Sequence, residues 1–270
     1  MKERKNIIIL VLIILFVILS IFLYFKKTRS DVIYIGNYTK VTVKKGTIKI
    51  DNKNEKIGIT EANIYFNNDF VDGYIRSSKE KVNNNINIYT AYNKKGSVLR
   101  FNDDLIAYTG DAKIKVANPN RLSLLLDDDL NKVSTYLYSL TGNTEGGDFE
   151  LSFNSYEKII YDIDNDGDDE YIYSVDANAY EKQNYSFVVI EDNGEFIPII
   201  KKSGEAMKTD LVRVSFFSLI DFDNDGKYEI VVKIKEGDYG ASKYKIFNYD
   251  EKIEEIKWGE RILCVLKHIY

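Results

Sequence analysis

Cysteine and histidine are almost absent from this chain of 270 residues, and each scarcity excludes a class of protein. The one cysteine, Cys264, cannot form an intrachain disulfide, so packing or bound metal must stabilise the fold. It lies in an apolar run, residues 262–266, and is predicted to be a buried core residue. The one histidine, His268, lies near the end of the sequence. A protected Ser-His-Asp or Cys-His catalytic site and a histidine-ligated zinc site are therefore excluded.

The sequence also lacks an excess of positive charge. Residues 1–30 hold six basic residues and one acidic residue. The rest of the chain therefore holds 31 Lys and Arg against 41 Asp and Glu, a formal charge of −10. A surface of this charge is unsuitable for nucleic acid or anionic lipid head groups, so no nucleic-acid partner is expected.

One long apolar run is present, residues 7–25, in which only Ser20 and Tyr24 are polar and none is charged. As a helix it would be about 28 Å long, enough to cross a hydrocarbon core of about 30 Å. The residues at its end, 23–27, make a poor signal-peptidase site, and no lipidation cysteine lies nearby. Residues 1–30 are therefore predicted to be a cytoplasmic tip and an uncleaved transmembrane anchor. A cleaved signal peptide is the alternative.

Two acidic loops with the same spacing of residues give the clearest indication of the protein's chemistry. We call residues 162–170 (DIDNDGDDE) loop 1 and residues 221–229 (DFDNDGKYE) loop 2; they begin 59 residues apart. Side chains at positions 1, 3 and 5 can converge on one centre, and the glycine at position 6 permits a sharp turn. Carboxylates this dense repel one another unless a cation lies among them, and hard oxygen ligands suit calcium. Position 7 would give only its backbone carbonyl, which explains a lysine there, and the glutamate at position 9 would close the site.

The same opening pattern begins an EF-hand, but the residues that follow exclude that motif. An EF-hand needs a bidentate glutamate at position 12 and a helix on each side. Position 12 is Tyr173 after loop 1 and Val232 after loop 2. Residues 171–175 and 230–234 are β-branched and aromatic, which predicts strands.

On these loops and their flanking strands, the chain resembles the FG-GAP/VCBS repeats, the calcium-binding blades of integrin α-type β-propellers. The resemblance covers roughly residues 149–259 and implies calcium as the cofactor and a mostly extracellular setting. Two features depart from the family: position 9 is Glu rather than Asp, and the Phe-Gly and Gly-Ala-Pro landmarks are absent. The implied ligands are Asp162, Asp164, Asp166, Asp168 (carbonyl) and Glu170 in loop 1, and Asp221, Asp223, Asp225, Lys227 (carbonyl) and Glu229 in loop 2.

The remaining sequence predicts a mostly β protein with antiparallel sheets and one helix. Period-two alternation predicts a hairpin over residues 40–51, and apolar residues at helical spacing predict a helix near 128–140. The predicted units are 1–30, the anchor; 31–120, a β-rich domain; 121–148, the helix and a connector; and 149–270, two blade-like repeats. Because two repeats seldom bury a continuous core, either residues 31–148 hold diverged repeats or the repeats pack on a different β-domain. The second arrangement is the expected one.

Together these features predict a single-pass membrane protein whose C-terminal part is extracellular. The charges flanking the apolar run do not fix its orientation, but weak calcium sites need the near-millimolar calcium outside cells. The expected role is binding, adhesion or scaffolding, with an extracellular protein or glycan as partner, rather than catalysis. The alternatives are a cell-envelope enzyme, such as a carboxylate-based glycosidase with structural calcium, and an envelope assembly factor.

Overall fold

The computed structural model describes two helices and eighteen strands. The described residues are 12–20, 31–36, 39–44, 47–51, 56–79, 87–101, 105–110, 114–123, 126–141, 151–179, 183–205, 211–237, 242–249 and 253–256. Helix α1 covers residues 12–20, and its large apolar side chains are all exposed. Among the described residues, neither helix combines the length and the apolar character needed to cross a bilayer. Only part of the predicted anchor, and neither Cys264 nor His268, lies within these residues.

The fold is mostly β with antiparallel sheets, as the sequence predicts. Helix α2, Asp127–Thr141, confirms the helix predicted near residues 128–140. It begins with three acidic residues, which favour the positive end of the helix dipole, and buries Val133 and Leu137 one turn apart.

An eight-stranded sheet, here called the N-terminal sheet, forms the first half of the fold. Its strand order is β3-β2-β1-β8-β4-β5-β6-β7. The predicted hairpin over residues 40–51 is confirmed as β2 and β3. The β4–β5 hairpin turns on Asn67 and Asn68, which both adopt positive φ, as a two-residue turn of this kind requires. The strands are β1 (Asp31–Ile35), β2 (Thr39–Lys44), β3 (Thr47–Asp51), β4 (Thr60–Phe66), β5 (Asp69–Lys79), β6 (Asn87–Asn93), β7 (Val98–Phe101) and β8 (Ile106–Thr109).

Two five-stranded sheets with the same topology contain the two acidic loops. We call the one with loop 1 the first-repeat sheet, order β10-β11-β12-β13-β14, and the one with loop 2 the second-repeat sheet, order β18-β17-β16-β15-β9. In each, the loop joins a long strand to the next strand of an antiparallel meander. The short strands β9 and β10, from before helix α2, join the repeat sheets rather than the N-terminal sheet. The strands are β9 (Lys115–Val116), β10 (Asn120–Leu122), β11 (Leu151–Tyr161), β12 (Glu170–Ala179), β13 (Gln183–Asp192), β14 (Glu195–Glu205), β15 (Val212–Asp221), β16 (Glu229–Glu236), β17 (Lys243–Tyr249) and β18 (Ile253–Glu255).

The three sheets are stacked, with the second-repeat sheet in the middle. Strand β16 is buried on both faces: Val232 belongs to the core shared with the first-repeat sheet, and Val231 to the core shared with the N-terminal sheet. Helix α2 covers the outer face of the first-repeat sheet, where Leu137 packs among residues that include Phe187 and Val189. The second-repeat sheet therefore packs against the first-repeat sheet on one face and against the N-terminal sheet on the other.

A buried polar network connects helix α2 to the first-repeat sheet. Asp129 accepts hydrogen bonds from Lys158 Nζ at 2.7 Å and from the Tyr173 hydroxyl at 3.0 Å. The same hydroxyl lies 2.7 Å from Glu191 Oε2, and Lys132 of the helix pairs with Glu191. Asp129 therefore hydrogen-bonds to the first-repeat sheet and also stabilises the N-terminal end of helix α2.

Candidate metal centre

Left-handed residues at two positions fold each loop into the same compact turn. In loop 1, Asn165 has φ 64° and Gly167 has φ 103°; in loop 2, Asn224 has φ 61° and Gly226 has φ 98°. The sequence prediction accounted for the glycines but missed the asparagines. The signal was present, because both loops have asparagine at position 4 and asparagine is among the few residues that tolerate this region.

The aspartate at position 1 holds the turn closed in both loops. Asp162 accepts the N–H groups of Asp166 and Gly167, each at 3.1 Å. Asp221 accepts those of Asp225 at 3.1 Å and Gly226 at 3.2 Å. The backbone is thus folded around this carboxylate, which directs the side chains at positions 3 and 5 toward it.

The carboxylates at positions 1, 3 and 5 converge in both loops. One oxygen from each of Asp162, Asp164 and Asp166 lies within 4.8 Å of the other two. The same separation holds for the equivalent aspartates of loop 2, Asp221, Asp223 and Asp225. Side chains separated by two residues meet only because the turn curls back on itself, so the structure confirms the convergence that the spacing predicts.

A buried oxygen in loop 1 accepts no hydrogen bond. Asp164 Oδ1 is shielded from solvent and has no donor within bonding distance, and Asp223 Oδ1 is buried at the equivalent position of loop 2. Burial, together with the neighbouring Asp166, raises the pKa of Asp164. A shielded carboxylate oxygen without a donor costs free energy unless a cation binds it, so the donor set fits a hard metal ion.

The glutamate at position 9 is buried beneath each loop. Glu170 Oε2 accepts the Ile163 N–H at 2.7 Å, and Glu229 Oε2 accepts the Phe222 N–H at 3.1 Å. Burial, reinforced by nearby aspartates, raises the pKa of Glu170 to about 7 and that of Glu229 to about 8, although the two backbone hydrogen bonds oppose the rise. These glutamates close the loops, but they lie outside the two groups of three converging carboxylates.

The position-7 residues are placed differently from the other predicted ligands. The side chains of Asp168 and Lys227 are exposed and lie outside the converging groups. Their backbone N–H groups donate to the position-5 carboxylates, Asp168 to Asp166 and Lys227 to Asp225, each at 2.9 Å. Position 7 therefore contributes to the turn through its backbone in both loops, which explains why its side chain differs between them.

The two loops contact each other. The N–H of Tyr228 in loop 2 donates to the carbonyl of Ile163 in loop 1 at 3.0 Å. The rings of Tyr161 and Tyr228 meet edge to face with centroids 5.2 Å apart, and burial with their side-chain hydrogen bond raises the pKa of Tyr161. The positive charge of Lys227 opposes the rise in the pKa of Asp164, so loop 2 also acts electrostatically on loop 1.

The loops differ in their second position and in one nearby cation. Ile163 is buried in the core between the two repeat sheets, whereas Phe222 is buried in the core between the second-repeat sheet and the N-terminal sheet. Lys115 from β9 approaches Asp221 Oδ2 at 3.4 Å, which partly balances the charge of loop 2. Each loop is thus anchored in a different interface of the stack.

Loop 1 and loop 2 are thus two similar groups of oxygen donors, one on each of two sheets that have the same topology. Both loops are negatively charged and tightly turned, and each ends in a buried glutamate. Comparison of the chain with family models, with curated proteins and with solved structures gave no match.

Proposed function

We propose that this protein is a membrane-anchored extracellular binding module, of FG-GAP/VCBS type, whose two loops bind calcium. Its role is adhesion, ligand binding or scaffolding. The observation that carries the proposal is the convergence of three aspartates in each loop around a buried oxygen, Asp164 Oδ1 in loop 1, that accepts no hydrogen bond. Calcium suits these loops because it accepts carboxylates and backbone carbonyls in irregular geometry.

The protein's own contribution is to hold the donors together before the ion arrives. Asp162 and Asp221 fix the turns by accepting two N–H groups each, and the position-9 glutamates fix the chain at position 2. A bound calcium ion would supply positive charge that relieves the repulsion among these carboxylates. The loops would then become more rigid, and the sheets that they connect would become more stable.

The repeated topology supports the family assignment within this proposal. Both repeat sheets have a short edge strand, a long lead-in strand, the acidic loop and then three strands, and they pack face to face. Face-to-face packing of small antiparallel meanders is how propeller blades bury their surfaces. The N-terminal sheet takes the place that a further blade would occupy beside the second-repeat sheet.

Calcium should stabilise the folded protein through both loops. With about 1 mM calcium and a dissociation constant near 0.1 mM, each site would add roughly 1.4 kcal/mol to the free energy of unfolding. The test is a calorimetric calcium titration and a melting curve of the full-length chain in detergent micelles, with and without chelator. Asp164→Asn should remove about half of the stabilisation. Asp169→Asn, which removes the same charge from an exposed position of loop 1, should keep it.

One result would contradict the calcium proposal. A wild-type melting curve that does not respond to calcium or chelator would identify the loops as metal-free turns. Lys227→Ala offers a further check, because the side chain is exposed, only the backbone of Lys227 is proposed as a ligand, and removal of a positive charge near Asp164 should not weaken cation binding. Calcium stabilisation lost in Lys227→Ala would contradict the ligand assignment at position 7.

The anchor is supported by the sequence of residues 7–25 and by helix α1. Eight consecutive large apolar side chains, from Leu12 to Leu19, are 48–71% exposed. Side chains of this kind are stable in hydrocarbon and costly in water. Protease added to intact cells should digest the C-terminal part and spare the anchor. A protected C-terminal part, or a mature protein that begins near Lys26, would overturn this orientation.

A further inference from the structure

The face of the N-terminal sheet that packs against the second-repeat sheet also contains, beside that contact, a polar cleft of about 600 Å³, which is well separated in sequence from the acidic loops. Alternation along the strands divides the sheet into two faces. Ile64 of β4 and Ala107 of β8 are fully buried in the apolar core on one face. Asn63 and Tyr108, their neighbours in sequence, lie on the other face and line the cleft. The cleft is also lined by Thr60, Glu61, Ala62, Asp72, Gly73, Tyr74, Lys94, Thr109 and Gly110.

Strand pairing places the polar residues that line the cleft in two rows across the sheet. Asn63 of β4 pairs with Asp72 of β5 on one side and with Tyr108 of β8 on the other. In the second row, Glu61 of β4 pairs with Tyr74 of β5, which pairs in turn with Tyr92 of β6. Side chains of paired residues stand on the same face, so carboxylates, an amide and tyrosine rings form one continuous surface.

Two features shape the rim. Lys94 donates to Asp72 at 2.6 Å, which holds an ammonium group at the edge of the cleft. At the other end, Gly110 has φ +95°, and a Cβ there would lie 2.6 Å from Asp31 Oδ1. Glycine at this position of the lining therefore leaves room for the neighbouring carboxylate of Asp31.

The chemistry of the lining selects among ligand classes. The carboxylates of Glu61 and Asp72 outnumber the one ammonium group, that of Lys94, so the cleft disfavours anions such as phosphates and acidic sugars. The metal-capable groups of the described residues are those in the two acidic loops, and the cleft contains none of them. Carboxylate, amide and ammonium groups beside tyrosine rings suit a ligand that has hydroxyl groups and apolar C–H faces together.

We propose that this cleft binds a carbohydrate that is uncharged or amino-bearing. Asp72, Asn63 and Glu61 hydrogen-bond its hydroxyl or amino groups, and the rings of Tyr74 and Tyr108 contact its C–H faces. The inference names the ligand class of the proposed binding module and so rests on that binding role. It does not rest on calcium, because no residue of the cleft belongs to loop 1 or loop 2.

The test measures binding of three trisaccharides to the full-length chain in micelles of a detergent without a sugar head group. The probes are the trimers of glucosamine, of N-acetylglucosamine and of galacturonic acid, followed by saturation-transfer NMR and calorimetry. The glucosamine or N-acetylglucosamine trimer should bind, and the galacturonic acid trimer should bind at least fivefold more weakly. Chelator should leave binding in place, which separates failure of this site from failure of the calcium proposal.

Variants locate the site. Asn63→Ala and Asp72→Asn should each weaken binding at least fivefold, whereas Glu195→Gln, which removes an exposed charge from β14, should change it less than twofold. Asp72 is 65% exposed, so Asp72→Asn should fold even if Asn63→Ala does not. The proposal is overturned if neither favoured trimer binds, if the acidic trimer binds most tightly, or if folded Asp72→Asn binds like the original protein.

Discussion

Gly167 is the residue at which the backbone conformation bears most directly on the proposed metal site. It has φ +103°, and a Cβ added to it would meet no atom within 4 Å. Any cost of replacing it therefore comes from the backbone, because crowding is excluded. The left-handed region costs a residue with a Cβ about 1 kcal/mol relative to glycine.

Gly167→Ala should therefore destabilise the protein by about 1 kcal/mol and weaken calcium binding at loop 1. Gly58→Ala is a matched control, since Gly58 is also surrounded by open space but does not have positive φ. That change should be neutral or stabilising by up to about 1 kcal/mol, because alanine restricts the unfolded chain. Equal melting temperatures for the two variants would show that loop 1 does not hold the strained turn described.

The buried glutamates predict how the metal-free protein responds to pH. The pKa values of Glu170, about 7, and Glu229, about 8, exceed the ordinary value of 4.5, so the folded state holds these protons more tightly than the unfolded state. Their stabilising contribution is complete below about pH 4.5 and is lost as the pH rises through 7 to 8. In chelator, the melting temperature should fall between pH 5.5 and 8.5.

Glu229→Gln isolates that effect, because it removes the titrating group while an amide oxygen can still accept the Phe222 N–H. The variant should lose less stability than the original protein across the same pH window. Glu195→Gln, which neutralises an exposed carboxylate instead, should behave like the original protein. A metal-free melting temperature that rises with pH would contradict the pKa values of the buried pair.

Among the elements, the two loops act as one connected unit. Ile163 of loop 1 accepts the N–H of Tyr228 in loop 2, so a calcium ion that orders one loop positions a backbone group of the other. We expect calcium binding at the two sites to be positively coupled, with a second affinity higher than independent sites would give.

Tyr161→Leu tests this coupling without removing a predicted ligand. It deletes the edge-to-face contact with Tyr228 and should reduce the coupling measured in a two-site calcium titration. Tyr65→Leu removes a comparable ring contact, with Phe70 in the N-terminal sheet, and should leave the coupling unchanged. Independent sites in the original protein would refute the coupling, whatever the absolute affinities.

Local patterns predicted the elements around the loops but could not predict how distant elements pair. The alternation in β2 and β3, the helical spacing in α2 and the strands after each loop all follow from neighbouring residues. The pairing of β1 with β8 and of β9 with β15 joins segments far apart in the chain, which periodicity does not encode. The rows of tyrosine and carboxylate side chains in the cleft could not be predicted from the sequence for the same reason, because they form only when β8, β4 and β5 lie side by side.

On the scale of the whole molecule, the middle position of the second-repeat sheet connects the acidic loops to the N-terminal sheet. Phe222 of loop 2 is 2% exposed and belongs to the core that also contains Ile33 and Ile35 of β1. Its N–H is held by Glu229, so ordering of loop 2 fixes a large side chain in that interface. Ile163 occupies the equivalent position of loop 1 but lies in the core between the repeat sheets. Calcium bound at each proposed site should therefore stabilise a different interface of the stack.

Amide hydrogen exchange can separate the two interfaces. Saturating calcium should slow exchange in β1 by on the order of tenfold, which is the effect of about 1.4 kcal/mol on local opening. Asp223→Asn should abolish this slowing, because it disables the site that positions Phe222. Asp164→Asn should retain most of it at saturating calcium, since loop 2 is still filled. Equal loss of protection in β1 in the two variants would mean that calcium protects the N-terminal sheet only by raising the global stability. The prediction that Ile163 and Phe222 link the two loops to different interfaces would then be wrong.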